Sequence, residues 1–323
     1  ELQPFYSYQP NIEGIEEAIA HKENFQHREV LTRELQKQYE GLSVTEATSQ
    51  NIQALVDKNT FTVTTAHQPN IFTGPLYVIY KIAHAIKLAE ELNEAIPGKQ
   101  FVPVYFMGSE DADLAELNHI NINARQYLWQ TKQTGAVGRM KVDDALLRVI
   151  TEMEGQLHIQ SHGEELTHIF HNCYKKGTTI QQATLELMNT LFGEYGLVVL
   201  TPDNPSLKKI FQPVVARELQ EQFSYKAVAA TAKSLEEHYK VQASGREVNL
   251  FYLTDDKRER IEIRSEKYEV KGAGLEWTHD EILQELEEHP ERFSPNVILR
   301  GAYQETILPN IAFIGGGGEL AYW

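Results

Sequence analysis

Residues 61–66 read FTVTTA and residues 101–108 read FVPVYFMG, two short runs of β-branched and aromatic residues. Between them lie a turn, HQPNIFTGP, and a long amphipathic stretch carrying Leu76, Ile79, Tyr80, Ala83, Ile86 and Leu88. Strand, loop, helix and strand in that order form a βαβ unit, and the apolar second run has the texture of a buried parallel strand. Pro103 suits a position near the start of that strand. GLVVLTPD at 196–203 reads as a third buried strand, with helical patterns over 163–195 and 205–239. Strands that alternate with helices predict an α/β protein with a Rossmann-like, doubly wound parallel sheet.

The rest of the chain arranges itself around that unit. Residues 14–40 and 45–57 repeat apolar positions at helical spacing, so 1–60 is expected to be a helical segment against the core. Residues 61–245 are expected to form the core with its helical connections. Over 246–323 a small antiparallel meander (248–272) and a charged helix (278–289) precede NVILR (296–300) and NIAFIGGGG (310–318), both strand-like in texture. The short segments HININ, YLWQ and VGRMKV also alternate as strands do.

Charge and cysteine content narrow the function. The formal net charge is −16 and the spacing shows no basic patch, so nucleic acid and anionic membrane are poor partners. Cys173 is the only cysteine, which excludes an intrachain disulfide and fits a reducing cytoplasm. The opening residues lack the basic start and apolar core of a signal peptide. The chain halts on Trp323 just as a glycine turn enters a helix, the aspect of a fragment of a longer protein.

Three segments could carry chemistry, each at the carboxyl end of an expected strand. The loop 64–75 offers His67, Gln68, Asn70, Thr73 and Gly74 before a helix N-terminus, where free N–H groups favour anions. The same residues would equally serve a tight turn capped by Asn70 and Thr73. Residues 108–120 gather Glu110, Asp111, Asp113, Glu116, Asn118 and His119, which suggests a general base or a divalent cation. Acids also favour helix N-termini, and Ser109 is a ready N-cap. Finally, Gly315, Gly316, Gly317 and Gly318 follow an apolar strand; four glycines permit positive φ and close backbone approach to a ligand. Arg300 and Glu305 flank this turn, as an anion clamp or as a structural pair. His84, His162, His168 and His171 lack a partner set, and nothing near Cys173 announces a reactive thiol.

Taken in order, TAHQPNIFTGPLYVIYKIAHAIKLA, FVPVYFMGSEDADLAELNHI, VNLFYLTDDKRERI and SPNVILRGAYQETILPNIAFIGGGGELAYW resemble the bacillithiol biosynthesis cysteine-adding enzymes, the BshC family. The most specific blocks are TGPLY-x3-K, S-E-D-x-D-x-x-E-x-N-H and G-G-x-x-E-L-A-Y-W. The resemblance implies a core related to HIGH-motif nucleotidyltransferases and a ligase that joins L-cysteine to the amine of glucosaminyl malate. It also implies a C-terminal coiled coil, absent from this chain, that supports a homodimer. Two departures stand out: His67 replaces a common Gln, and GGGG replaces a GGP-type turn.

Amide formation from free cysteine requires an activated carboxyl, so the expected cofactor is ATP (leaving as AMP or ADP), with Mg2+ as a companion. On this reading the 64–75 loop holds phosphates, and His67 and Asn70 stabilise developing charge. Glu110, Asp111 or Asp113 orients the cysteine ammonium or takes the amine proton. Arg300 meets the malate carboxylates, while the glycine turn, Glu319, Tyr322 and Trp323 shape the nucleotide or sugar pocket. A nucleotidyltransferase acting on another small acid or sugar phosphate is the alternative enzyme, and a non-catalytic nucleotide-binding scaffold is the alternative of another class.

Overall fold

The structure, a computed structural model, describes residues 3–322. Three helices open it: α1 (Ile12–Lys22), α2 (Arg28–Gln38) and α3 (Glu46–Ala54). The core then runs β1 (Thr60–His67), α4 (Leu76–Ala95) and β2 (Gln100–Met107). A long connection follows, with α5 (Leu114–Leu117), the hairpin β3 (His119–Ile122) and β4 (Arg125–Leu128), and helices α6 (Asp144–Leu157), α7 (Gly163–Cys173) and α8 (Ile180–Phe192). It delivers β5 (Val198–Leu200), then α9 (Pro205–Glu221) and α10 (Phe223–Leu235). The last part comprises β6 (Leu250–Leu253), β7 (Arg258–Arg260), β8 (Glu262–Arg264), β9 (Lys267–Val270), β10 (Leu275–Trp277), α11 (His279–Glu288), β11 (Phe293–Pro295), α12 (Val297–Ile307), β12 (Asn310–Ile314) and α13 (Gly317–Tyr322).

The central sheet is parallel, in the order β12-β1-β2-β5. From β1 the chain steps to β2 and β5 on one side, then returns to β12 on the other. The crevice between the carboxyl ends of β1 and β12 is therefore the topological switch point, where ligands bind in such sheets. The α/β class and Rossmann-like sheet expected from the sequence are both present. β1 owes its form to β-branched residues whose hydroxyls are satisfied within the sheet. Thr62 donates to Asn310 Oδ1 at 3.3 Å, and Thr65 donates to the Ile314 carbonyl at 2.8 Å. Pro103 falls four residues into β2, where its missing N–H is tolerated because β5 pairs only from Val104 onward.

Helices cover the sheet. Phe61, Val63 and Phe101 pack with Ile19 of α1 and Ala85, Ala89 and Leu92 of α4. A larger cluster joins Val102, Val104 and Phe106 to Leu31 and Leu35 of α2, Ile52 of α3, and Phe211 and Val215 of α9. A third cluster, centred on Trp129, Ile150, Phe170 and Tyr174, belongs to the long connection and clasps Ile71 and Phe72.

Several local expectations are corrected. NVILR is the start of a helix: Asn296 caps it, its Oδ1 accepting from Ile298 and Leu299 N–H. Leu299, Tyr303 and Ile307 then bury at helical spacing, which overrides the strand preference of Val297 and Ile298. The single meander over 248–272 divides into two sheets, β11-β6-β7 and β10-β9-β8, because β11 arrives from 293–295 to pair with β6. VGRMKV opens with a 3-10 turn (Val137–Arg139) rather than a strand. Ser109 caps no helix; α5 is one turn long and starts at Leu114.

Candidate active site

At the switch point lies a cavity of about 420 Å³, floored by the carboxyl ends of β1 and β2. β1 contributes Ala66 and His67, the loop after it Gln68, and the turn after β2 Gly108, Ser109, Glu110 and Asp111. Arg300 and Tyr303 enter from α12, Glu319 and Tyr322 from α13, and Pro202 from the loop that follows β5. Phe251, Arg258 and Arg260 of the small sheet, with Arg246 before it, complete the wall.

Two buried lysines anchor the acids. Lys81, on α4, donates to the Ala66 carbonyl at 2.6 Å and forms an ion pair with Glu319. Glu319 also accepts from Gly316 N–H at 2.8 Å and lies 3.8 Å from the Arg300 guanidinium. One carboxylate thus ties the glycine turn and α13 across the ends of β1 and β12. Lys208, on α9, pairs with Glu110, whose other oxygen accepts from Ser294 Oγ at 3.1 Å. Beside them Arg139 grips Asp203 through two bonds of 2.6 and 2.7 Å. Burial works against the Asp203 carboxylate, but the Arg139 bonds and the charge of Lys208 outweigh it and hold its pKa low.

His67 sits at the junction of these groups, its ring edge-on to Tyr77 at 5.2 Å. Burial, reinforced by the charge of Lys81, pushes its pKa down to about 4, so the imidazole is neutral at pH 7. A neutral imidazole can donate or accept a hydrogen bond without adding charge. Asp111 differs from the other two cavity acids: it accepts from Gln68 Nε2 at 3.2 Å but forms no ion pair among the described residues.

The structure gathers His67, Gln68, Glu110, Asp111, Arg300, Gly316 and Glu319 at or beside one site, with Tyr322 at its edge. Others stand elsewhere. Asn70 is buried and donates to the Glu116 carbonyl at 3.2 Å, shaping the loop. Thr73, Gly74, Asp113, Asn118 and His119 do not line the cavity, nor does the exposed first turn of α4. Glu305 does not partner Arg300; it pairs with Lys22 at 2.8 Å and accepts from Asn310 Nδ2 at 2.8 Å. None of the four glycines takes positive φ, although Gly317 and Gly318 face open space where a side chain would stand. Trp323 lies outside the described residues. Among the described residues no three His, Cys, Asp or Glu side chains converge as a metal site would require. Cys173 is buried in the third cluster, and burial raises its thiol pKa to about 11.

The family model that matches is that of bacillithiol biosynthesis BshC, N-terminal Rossmann-like domain, and the match runs over residues 1–323. The chain belongs to the BshC family. The protein named "Putative cysteine ligase BshC" in Flavobacterium johnsoniae is 44% identical over 326 residues, covering 100% of this chain and 61% of its own. Counterparts of the same name in Cytophaga hutchinsonii and Bacillus cereus are 41% and 30% identical, over 100% and 87% of this chain and 60% and 54% of theirs. The chain thus spans about 61% of the length of the first of these relatives. In this BshC domain the second and third of the blocks that carried the resemblance line the cavity, through Glu110 and Asp111 and through Glu319, while Lys81 of the first stands behind it as the ion-pair partner of Glu319.

Sequence reasoning missed several residues of this BshC site. Lys81 is the last residue of TGPLY-x3-K, and a lysine amid apolar positions of an amphipathic helix was the available signal. Lys208, Arg139 and Asp203 had none, since they meet only through the fold. The expectation of no basic patch is corrected: Arg246, Arg258, Arg260 and Arg300 converge on the cavity although they are scattered over more than fifty positions.

Proposed function

We propose that this chain is the catalytic core of a ligase that adds L-cysteine to the amine of glucosaminyl malate in bacillithiol biosynthesis. The observation that carries the reading is the meeting, in one cavity at the switch point, of residues from all four segments that resemble the BshC family. The names of the relatives support it further. A scaffold would not need a lysine-anchored glutamate, an ion-pair-free aspartate and four arginines around one space.

In this proposal ATP supplies the activation of the cysteine carboxyl. The cavity fits such a group in charge, since guanidinium donors suit phosphate oxygens. Asp111 faces the cysteine ammonium or accepts the proton that the attacking amine releases, because the other two cavity acids already hold lysines. Arg300 meets an anionic oxygen, and neutral His67 hydrogen-bonds the transferring group. The glycine turn, fixed by Glu319, leaves its backbone open to the ligand. No helix of the described residues is long and apolar enough to cross a membrane.

The test is mass-spectrometric detection of cysteinyl-glucosaminyl-malate after the full-length protein is incubated with both substrates, with and without ATP and magnesium. Product that requires ATP is the expected result. Pyrophosphate release without any need for cysteine would replace the ligase with a nucleotidyltransferase. Asp111→Asn is expected to lower kcat at least about a hundredfold in that assay, as loss of a general base does.

A further inference from the structure

We infer that the outer wall of the cavity, formed by Arg246, Arg258 and Arg260, is a subsite for a compact dianionic group, a dicarboxylate or a phosphate. Arg258 is the fixed member: Nε donates to Ser294 Oγ at 3.2 Å, Nη2 donates to the Pro295 carbonyl at 3.1 Å, and the guanidinium stacks 4.0 Å from the Phe251 ring centroid. Arg260 lies 5.2 Å from the same centroid. Arg246 is presented by a built turn, in which its N–H donates to Asn249 Oδ1 at 2.9 Å and its carbonyl accepts from Asn249 Nδ2 at 2.8 Å. Asn249 is wholly buried and is held in turn by the buried Glu218, which accepts from its N–H at 3.0 Å.

The side chains of Arg246 and Arg260 form no hydrogen bond or ion pair among the described residues, and Arg258 leaves Nη1 uncommitted. Of the acids on this side, Glu110 is engaged by Lys208 and Ser294, which leaves Asp111 alone to oppose three guanidiniums. A −16 chain that gathers like charges in one pocket bears an electrostatic cost that a bound anion relieves. The pocket's size excludes a polyanion, and the overall charge repels one. Planar guanidiniums offer paired donors that match two carboxylates or one phosphate. The inference deepens the ligase reading and rests on it only for the other end of the cavity, where Lys81, Glu319 and Asp111 stand.

Isothermal titration of the full-length protein with L-malate, inorganic phosphate and ATP tests it, for the wild type, Arg260→Ala and the double variant R246A/R260A. Both positions are exposed, so these substitutions remove no core packing. At least one probe should bind the wild type, roughly tenfold more weakly to the single variant and about a hundredfold more weakly to the double, since each charge-assisted contact carries about that factor. A loss confined to malate assigns a dicarboxylate, and a loss of phosphate and ATP assigns a phosphate. Binding of every probe unchanged in the double variant, or no binding to the wild type, overturns the subsite. Product assays separate the two claims. Cysteinyl product formed with an unchanged KM for both anionic substrates in R246A/R260A removes the subsite and keeps the ligase; arginine-dependent anion binding without cysteinyl product keeps the subsite and removes the ligase.

Discussion

At the scale of single residues the site is decided by burial. His67 has an ordinary pKa near 6.5 that burial and Lys81 lower to about 4. The unfolded chain therefore takes up a proton at a pH where the folded chain does not. The stability contributed by neutral His67 is complete above pH 6.5 and declines as pH falls toward 4, by up to about 3 kcal/mol. His67→Gln should lose less stability than the wild type across that window in urea unfolding, and NMR should show the wild-type imidazole neutral at pH 5.5. Because Gln can still hydrogen-bond, this variant should keep most of its activity at pH 7. Lys81 makes a different prediction. Removing one partner of a buried ion pair leaves the other charge uncompensated, so Lys81→Met should cost about 3 kcal/mol. K81M/E319L, which removes both charges, should recover much of that loss in the same unfolding measurement.

At the scale of elements, two glycine-bearing turns that look alike in sequence differ in what they demand. Gly74 takes φ of +62°, and a Cβ there would meet Asn70 Cβ at 2.6 Å. Gly74→Ala should therefore destabilise the protein by about 1–3 kcal/mol, seen as a lower Tm. Gly317 starts α13 without positive φ and with open space around it, so Gly317→Ala should leave Tm essentially unchanged. A fall in substrate affinity with Tm preserved would show that the missing side chain serves ligand approach. The loop before α4 is also held from afar: Tyr174 Oη accepts from the N–H of Phe72, a residue with φ of +59°, at 2.7 Å. That contact joins the long connection to the switch-point loop, and no periodicity in the chain foretells it.

For the whole molecule, a cationic cavity within an acidic chain implies attraction confined to short range. The KM for an anionic substrate should rise several-fold between about 0.05 M and 0.5 M salt, as screening shortens toward a few ångströms. An unchanged KM would mean that the arginines do not contact it. The strands, the first βα loop and the acid-bearing turn were legible because β-branched runs, helical spacing and turn residues act locally. The resemblance to BshC was legible because three blocks stand in fixed order. Local pattern failed at NVILR, where an Asn cap and burial at helical spacing outweighed β-branched residues, and at Glu305, which sequence proximity joined to Arg300 and the fold gives to Lys22. By itself the sequence determined the α/β class, the family and the loops that carry the polar residues, since these depend on spacing along the chain. Only the tertiary structure decided which charges meet: Lys81 with Glu319, Lys208 with Glu110, and four distant arginines at one cavity, because ion pairing and burial act between residues that only the folded chain brings together.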